Sequence, residues 1–212
     1  MAASKDVMAR KRVPGFAALC RAAPLAYAHP MGHTPEDSAL MLQYKDGDTA
    51  AFETLYRRHN NALYRYLLRL CRHQPTAEDV FQDVWGKIIK ARSSYRPTAR
   101  FTTFMYRVAH NCFIDHVRRN KRHANNTEFE PDLHADTSES PDMITERCLA
   151  KERLALALQD LPEEQRDAFL LHEEAGLSIE QIASVTGSNR ETAKSRLRYA
   201  VRKLRAAIEE PQ

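Results

Sequence analysis

The sequence predicts an all-α fold made of two small helical domains joined by a flexible acidic linker. Three observations lead there. Glycine is scarce, 6 in 212 residues, and β-branched runs are absent, which disfavours strands. Apolar residues recur at helical spacing through two blocks, 36–122 and 143–212. Between them, residues 123–142 carry Pro131 and Pro141 and no apolar period, the composition of a linker. Hydrophobic residues make up 43% of the chain, enough for small cores, and no stretch reaches the apolar length of a membrane span.

Taken in order, residues 1–35 form an N-terminal extension expected to be flexible. Arg10-Lys11-Arg12 before an Ala-rich stretch loosely mimics a secretory signal, but Pro14, Arg21 and Pro24 interrupt the apolar part. Helical periodicity begins only near Glu36, so translation from Met31 or Met8 is one expectation. Leu40, Met41 and Tyr44 give a first apolar face, and Gly47-Asp48 a turn. Phe52, Leu55, Tyr56, Leu63, Leu67 and Leu70 then recur at helical spacing up to Arg72. The next helix is expected to open at Thr76 as N-cap, with Asp79 three residues on. Val80, Val84, Trp85 and Ile88 form its buried side. Glu78, Asp79, Gln82 and Asp83 form the other. A helix dipole accounts for acidic groups in the first turn but less well for Gln82 and Asp83, which leaves a partner-docking face open as a reading.

Ala91 to Arg100 reads as a loop, followed by a long helix marked by Phe101, Phe104, Met105, Val108, Ala109, Cys112, Phe113, Ile114 and Val117. Its other side carries Arg107, His110, Asn111, Arg118 and Arg119, and it ends at Lys121-Arg122. Aromatic and basic residues interleaved beside a loop suit a single-strand surface, where bases stack and cations follow the backbone. Periodicity alone favours a plain core role for Phe101 and Phe104. After the linker, a helix runs from Met143 to Gln159, and Pro162 in the first turn opens the next, which stops at Gly176.

Leu177 to Arg205 carries the clearest motif. Ser178 with Gln181 has capping-box spacing, and Ile179, Ile182 and Ala183 share one face. Gly187 permits a sharp turn before a second helix from Arg190. That helix has an apolar stripe of Ala193, Leu197, Ala200, Val201 and Leu204, expected to dock on the helix before it. Arg190, Lys194, Ser195, Arg198, Arg202 and Arg205 lie opposite. From Arg190 to Arg205 there are seven basic residues and one acidic residue, Glu191. Two short helices around a Gly joint, the second cationic, form a helix-turn-helix suited to the major groove of duplex DNA.

Charge supports a polyanion partner. The formal net charge is only +4, but residues 36–123 hold 16 basic and 9 acidic groups, whereas residues 124–145 hold six acidic and no basic groups. Cys20, Cys71, Cys112 and Cys148 are scattered without a CxxC, which suits a reducing cytoplasm. His110, Cys112 and His116 are close in sequence, but only the last two share a helix face, so no metal site is expected. No phosphate loop and no catalytic triad spacing occurs, so neither an enzyme nor a cofactor is expected.

Three stretches resemble the extracytoplasmic-function group of bacterial RNA polymerase sigma factors, in the order of the family's regions 2 and 4. Ala77-Glu78-Asp79-Val80-Phe81-Gln82-Asp83-Val84-Trp85 is similar to the segment that docks on the polymerase clamp helices, with Asp83 where Glu is more frequent. Phe101-Thr102-Thr103-Phe104-Met105-Tyr106-Arg107-Val108-Ala109-His110-Asn111, then Asp115 and Arg118-Arg119, resembles the promoter-melting helix, with Phe104 in place of a frequent Trp. Leu161-Pro162 through Gln165-Arg166, Leu177-Ser178 to Ile182-Ala183, and Thr192-Ala193-Lys194-Ser195-Arg196-Leu197 resemble the minus-thirty-five reader, with Ala193 for a common Val. The resemblance implies that Asp79, Gln82 and Asp83 hold core RNA polymerase. It implies a minus-ten surface of Arg96, Arg100, Phe101, Phe104, Arg107, Asn111, Arg118 and Arg119, the loop from Ser93 to Arg100 taking an extruded base. Arg190, Lys194, Ser195, Arg198 and Tyr199 would meet the minus-thirty-five element. The implied partners are core RNA polymerase, promoter DNA and an anti-sigma factor, in the cytoplasm and without membrane insertion. The rival readings are a helix-turn-helix regulator that binds duplex DNA without polymerase, which leaves 77–119 without a role, and a recombinase-like enzyme, for which no nucleophile or carboxylate cluster is present.

Overall fold

A computed structural model describes the backbone of residues 36–123 and 146–209, and side chains over 36–120 and 153–207. The expected extension 1–35, most of the linker 123–142 and the start of the helix at Met143 lie outside the described residues. Within them the chain forms eight α-helices and no strand. Four make a first lobe: α1 (Asp37–Lys45), α2 (Thr49–Cys71), α3 (Gln74–Lys90) and α4 (Phe101–His123). Four make a second: α5 (Glu146–Gln159), α6 (Glu163–Glu173), α7 (Ile179–Thr186) and α8 (Arg190–Glu209).

Local chemistry sets the boundaries. Asp48 caps α2 by accepting from the Ala50 and Ala51 amides at 2.9 and 3.4 Å. At the far end Arg72 turns into the left-handed region, φ 62°, and its amide closes on Leu68. The cap expected at Thr76 is corrected. Helix α3 begins three residues earlier, with His73 as N-cap. His73 Nδ1 accepts from the Thr76 amide (3.4 Å) and sits 2.9 Å from the Thr76 hydroxyl. Pro75 falls in the first turn, where its missing N–H removes no helical bond. Pro162, expected within the first turn, is itself the N-cap of α6, which begins at Glu163. The expected loop 91–100 holds one 3-10 turn, Arg92–Ser94.

The first lobe is built on a run of rings. Tyr44 meets Phe52 at 4.7 Å, Phe52 meets Trp85 edge-on at 5.7 Å, and Trp85 meets Tyr56 at 4.9 Å. Leu55, Leu63, Leu67, Val84, Trp85 and Ile88 are fully buried around them. Each apolar period in α1–α3 therefore closes on the same centre, and the acidic side of α3 is left outside. In the second lobe Leu158, Leu161, Ala200 and Leu204 form a core cluster. The stripe on α8 thus docks on α5 and α6 as well as on α7, a correction to the single partner expected. The reason is geometric: Ala200 and Leu204 lie beyond the reach of the eight-residue α7, about 12 Å long.

The lobes also pack on each other, α2 against α6 and α4 against α7. Pattern reading gave no sign of this contact.

Candidate nucleic-acid interface

Helix α8 presents its cations because α7 and the turn fix its roll. The Ser178 hydroxyl accepts from the Gln181 amide (3.3 Å) and Gln181 Oε1 accepts from the Ser178 amide (2.8 Å), a complete capping box. Gly187 ends α7 at φ 64°, a conformation most side chains resist. Asn189 then caps α8 by accepting from the Thr192 amide at 2.7 Å. Ala193, Ala200 and Leu204 are buried, so Arg190, Lys194, Arg198, Tyr199, Arg202 and Arg205 stand exposed and Ser195 half-exposed. Arg198 and Arg202 flank the Tyr199 ring at 5.2 and 4.9 Å, a cationic and aromatic group ready-made on the surface. Arg190 is engaged: its Nε donates to Glu180 at 2.7 Å, and Glu191 lies 3.3 Å away. Hydrogen bonding from Arg190 pulls the Glu180 carboxyl down to about 2, so that carboxylate stays charged.

The surface on α4 is less uniform. Arg96, Arg100, Arg107, Asn111, Arg118 and Arg119 are exposed. Phe101 is not: it is 1% exposed, with its ring 5.4 Å from His59, and serves the core. Phe104 is half-buried between Phe101 (6.2 Å) and Tyr95 (5.3 Å). Tyr95 anchors the loop from beneath, and Lys45 Nζ donates to its carbonyl at 3.2 Å. The loop is therefore held at its base while Arg96 and Arg100 project. Arg107 Nη2 donates to the Ser184 hydroxyl of the second lobe at 2.6 Å.

On α3, Asp79, Gln82 and Asp83 are exposed along one face, as their spacing predicts. Asp83 lies 3.7 Å from Arg119 of α4, so the acidic face of α3 neighbours the cations of α4. His116 lies in the same region. Burial, and next Arg119, hold its imidazole below the usual range.

His110, Cys112 and His116 do not converge. His110 bonds Asp167, Cys112 is buried, and His116 accepts from Asn120. Among the described residues no cluster of His, Cys, Asp or Glu side chains is arranged to hold a metal, and no helix is long and apolar enough to cross a membrane. Cys71 and Cys112 are free thiols.

Sequence reasoning missed the seam between the lobes. Tyr66 is fully buried, and its hydroxyl donates to Asp167 Oδ1 at 2.7 Å. His110 Nδ1 donates to Asp167 Oδ2 at 2.8 Å. Burial, then the Asp167 carboxylate, push the Tyr66 phenol far above its ordinary range, so it remains a donor. Arg65 and Arg69 both bond Glu174, and Gln181 donates to the Thr103 hydroxyl at 3.2 Å. An Asp in the middle of an amphipathic helix was the one available signal.

Comparison with known proteins follows the lobe division. Residues 55–123 match the family described as Sigma-70 region 2, and residues 151–204 match Sigma-70, region 4. The RNA polymerase sigma factor CarQ of Myxococcus xanthus is 30% identical over 170 residues, 80% of this chain and 96% of that protein. The ECF RNA polymerase sigma factor SigM of Mycobacterium tuberculosis is 30% identical over 177 residues, 82% of this chain and 87% of that protein. Among solved structures, the sigma factor RpoE in complex with the anti-sigma factor NepR from Bartonella quintana aligns with TM-score 0.63 and 22% identity, covering 76% of this chain and 98% of that one. CnrH in complex with the cytosolic domain of CnrY aligns with TM-score 0.59 and 23% identity, covering 82% and 97%. These two likenesses are of fold.

Proposed function

The chain belongs to the RNA polymerase sigma factors, in their extracytoplasmic-function group, and from that premise we propose that it binds core RNA polymerase and directs promoter recognition and melting. It acts as a DNA-recognition subunit and catalyses nothing itself. The observation that carries this reading is the exposure of three separate surfaces in family order: the α3 face, the α4 surface with its loop, and the cationic face of α8.

Each surface has a physical task. Asp79, Gln82 and Asp83 offer carboxylates and an amide to the polymerase. Arg96 and Arg100 project from the loop that takes an extruded base, with Arg118 and Arg119 on the nearby phosphates. Extrusion costs a few kcal/mol, which contacts in a protein pocket offset. Phe104 contributes only its free edge, and Phe101 supports it from the core. Arg190, Lys194, Ser195, Arg198 and Tyr199 meet the upstream duplex, where cations neutralise phosphates and the first turn of the helix reaches base edges. An anti-sigma factor is a further partner in this reading, and the cytoplasm is its site of action, where polymerase and DNA are found.

The polymerase face is tested by Asp83→Arg. The exposed pair with Arg119 is worth little to stability, so the variant keeps its fold and its melting temperature. It should fail to co-elute with core polymerase in gel filtration while the unaltered chain does. Co-elution at the unaltered level would overturn the assignment of α3.

A further inference from the structure

We propose that α1 is a rigid spacer for the loop from Ser93 to Arg100, with Asp37 and Lys45, at its two ends, as positioning residues for base capture. The inference rests on the reading of that loop as the part that takes an extruded base.

The loop ends in an arc hung between two buried rings. Arg96 to Arg100 are all exposed, whereas Tyr95 before them and Phe101 after them are 4% and 1% exposed. Both rings meet Phe104, at 5.3 and 6.2 Å, so the two feet of the arc stand on one aromatic step. Each foot is held from a different end of α1. At its last residue, Lys45 Nζ donates to the Tyr95 carbonyl at 3.2 Å. At its first, Asp37 accepts from His59 Nε2 at 2.7 Å, and the His59 ring lies 5.4 Å from Phe101. Arg58 donates to the other Asp37 oxygen at 2.7 Å and fixes the carboxylate. A third tie sets the approach to the arc: the Arg92 guanidinium lies 5.2 Å over the Tyr44 ring of α1.

Helix α1 is built for this task. Leu40, Met41 and Tyr44 seat it in the close-packed first lobe, so its ends do not drift. Those ends are eight residues apart, about 12 Å along the axis. The Tyr95 hydroxyl is buried without a hydrogen-bond partner among the described residues, so that foot is bonded to α1 through its backbone carbonyl. Five exposed residues between fixed feet sample fewer shapes than a free arc, so less freedom is lost when a base enters. Releasing either foot lowers the fraction of chains whose arc is ready, and apparent affinity for the base falls with that fraction. The α3 face and the cationic face of α8 lie on other helices and keep their contacts.

The test uses the full chain assembled with core polymerase. The probe is a pool of DNA single strands of about 20 nucleotides with a random interior, and sequencing the bound fraction gives the base preference at each position. The unaltered chain should select one base strongly at the captured position. Lys45→Met keeps the stem and removes the donor. It should lower that selection roughly ten-fold, with melting temperature and polymerase co-elution unchanged. Lys45→Arg can still donate to the carbonyl and should retain most of the selection. Asp37→Ala should act in the same direction as Lys45→Met, and it decides alone if the lysine variant fails to fold. A folded Lys45→Met or Asp37→Ala with full selection overturns the spacer, as does a Lys45→Arg no better than Lys45→Met. Arg96→Ala combined with Arg100→Ala separates the causes. If that pair loses the selection while the α1 variants keep it, only the spacer has failed. If the pair also keeps it, or the unaltered chain selects no base, the base-taking reading of the loop fails as well.

Discussion

Arg198 shows how far one side chain can be argued. It stands exposed on α8, one turn beyond Lys194, with its guanidinium 5.2 Å over the Tyr199 ring. Stacking limits its rotamers before DNA arrives, so less freedom is lost on binding. Arg198→Ala should weaken binding to a cognate minus-thirty-five duplex by about 1–3 kcal/mol if the fork reads a base, and relax preference at that position. Electrophoretic mobility shifts with single-base variants check it; unchanged affinity and unchanged preference would remove Arg198 from the reading set. Arg190 is a different case. It is bonded to Glu180 and Glu191, so its charge would be free for a phosphate only after exchanging partners. Sequence alone ranked the two arginines alike, because a Glu ten residues upstream becomes a neighbour only once the turn at Gly187 is built.

At the scale of elements, caps and periods were the legible part. Ser178 with Gln181 and the paired stops at Gly176 and Gly187 act within four residues, so their chemistry is local and readable. Ser178→Ala removes one half of the capping box while leaving the α7 face intact. It should lower stability by about 1 kcal/mol in chemical denaturation, with duplex binding by α8 retained once folded. No loss would mean that tertiary packing, and not the cap, fixes where α7 begins. The start of α3 was misplaced because an imidazole can act as a cap and Pro75 is as welcome inside the first turn as before it. Phe101 and Phe104 illustrate the other limit. Both fit an aromatic surface by composition, yet the ring beside His59 is core and only Phe104 keeps an edge outside. Period tells which face a residue takes, not what the facing lobe covers.

At the scale of the whole molecule, two lobes carry three exposed polar surfaces and one polar seam. The surfaces follow from residues close in sequence, which is why the α3 face and the α8 stripe could be read in advance. The seam joins residues about a hundred positions apart: Tyr66 with Asp167, Arg65 and Arg69 with Glu174. No local pattern encodes that pairing, since Asp167 looks on paper like one more acidic group in an acidic helix. The account as a whole claims that these surfaces act together on one promoter through core polymerase. Run-off transcription with purified core polymerase, this chain and a library of genomic promoter fragments tests that directly. The account predicts discrete transcripts that require the chain and disappear with Asp83→Arg. Transcription that is the same with and without the chain, or that survives in Asp83→Arg at full yield, would contradict it.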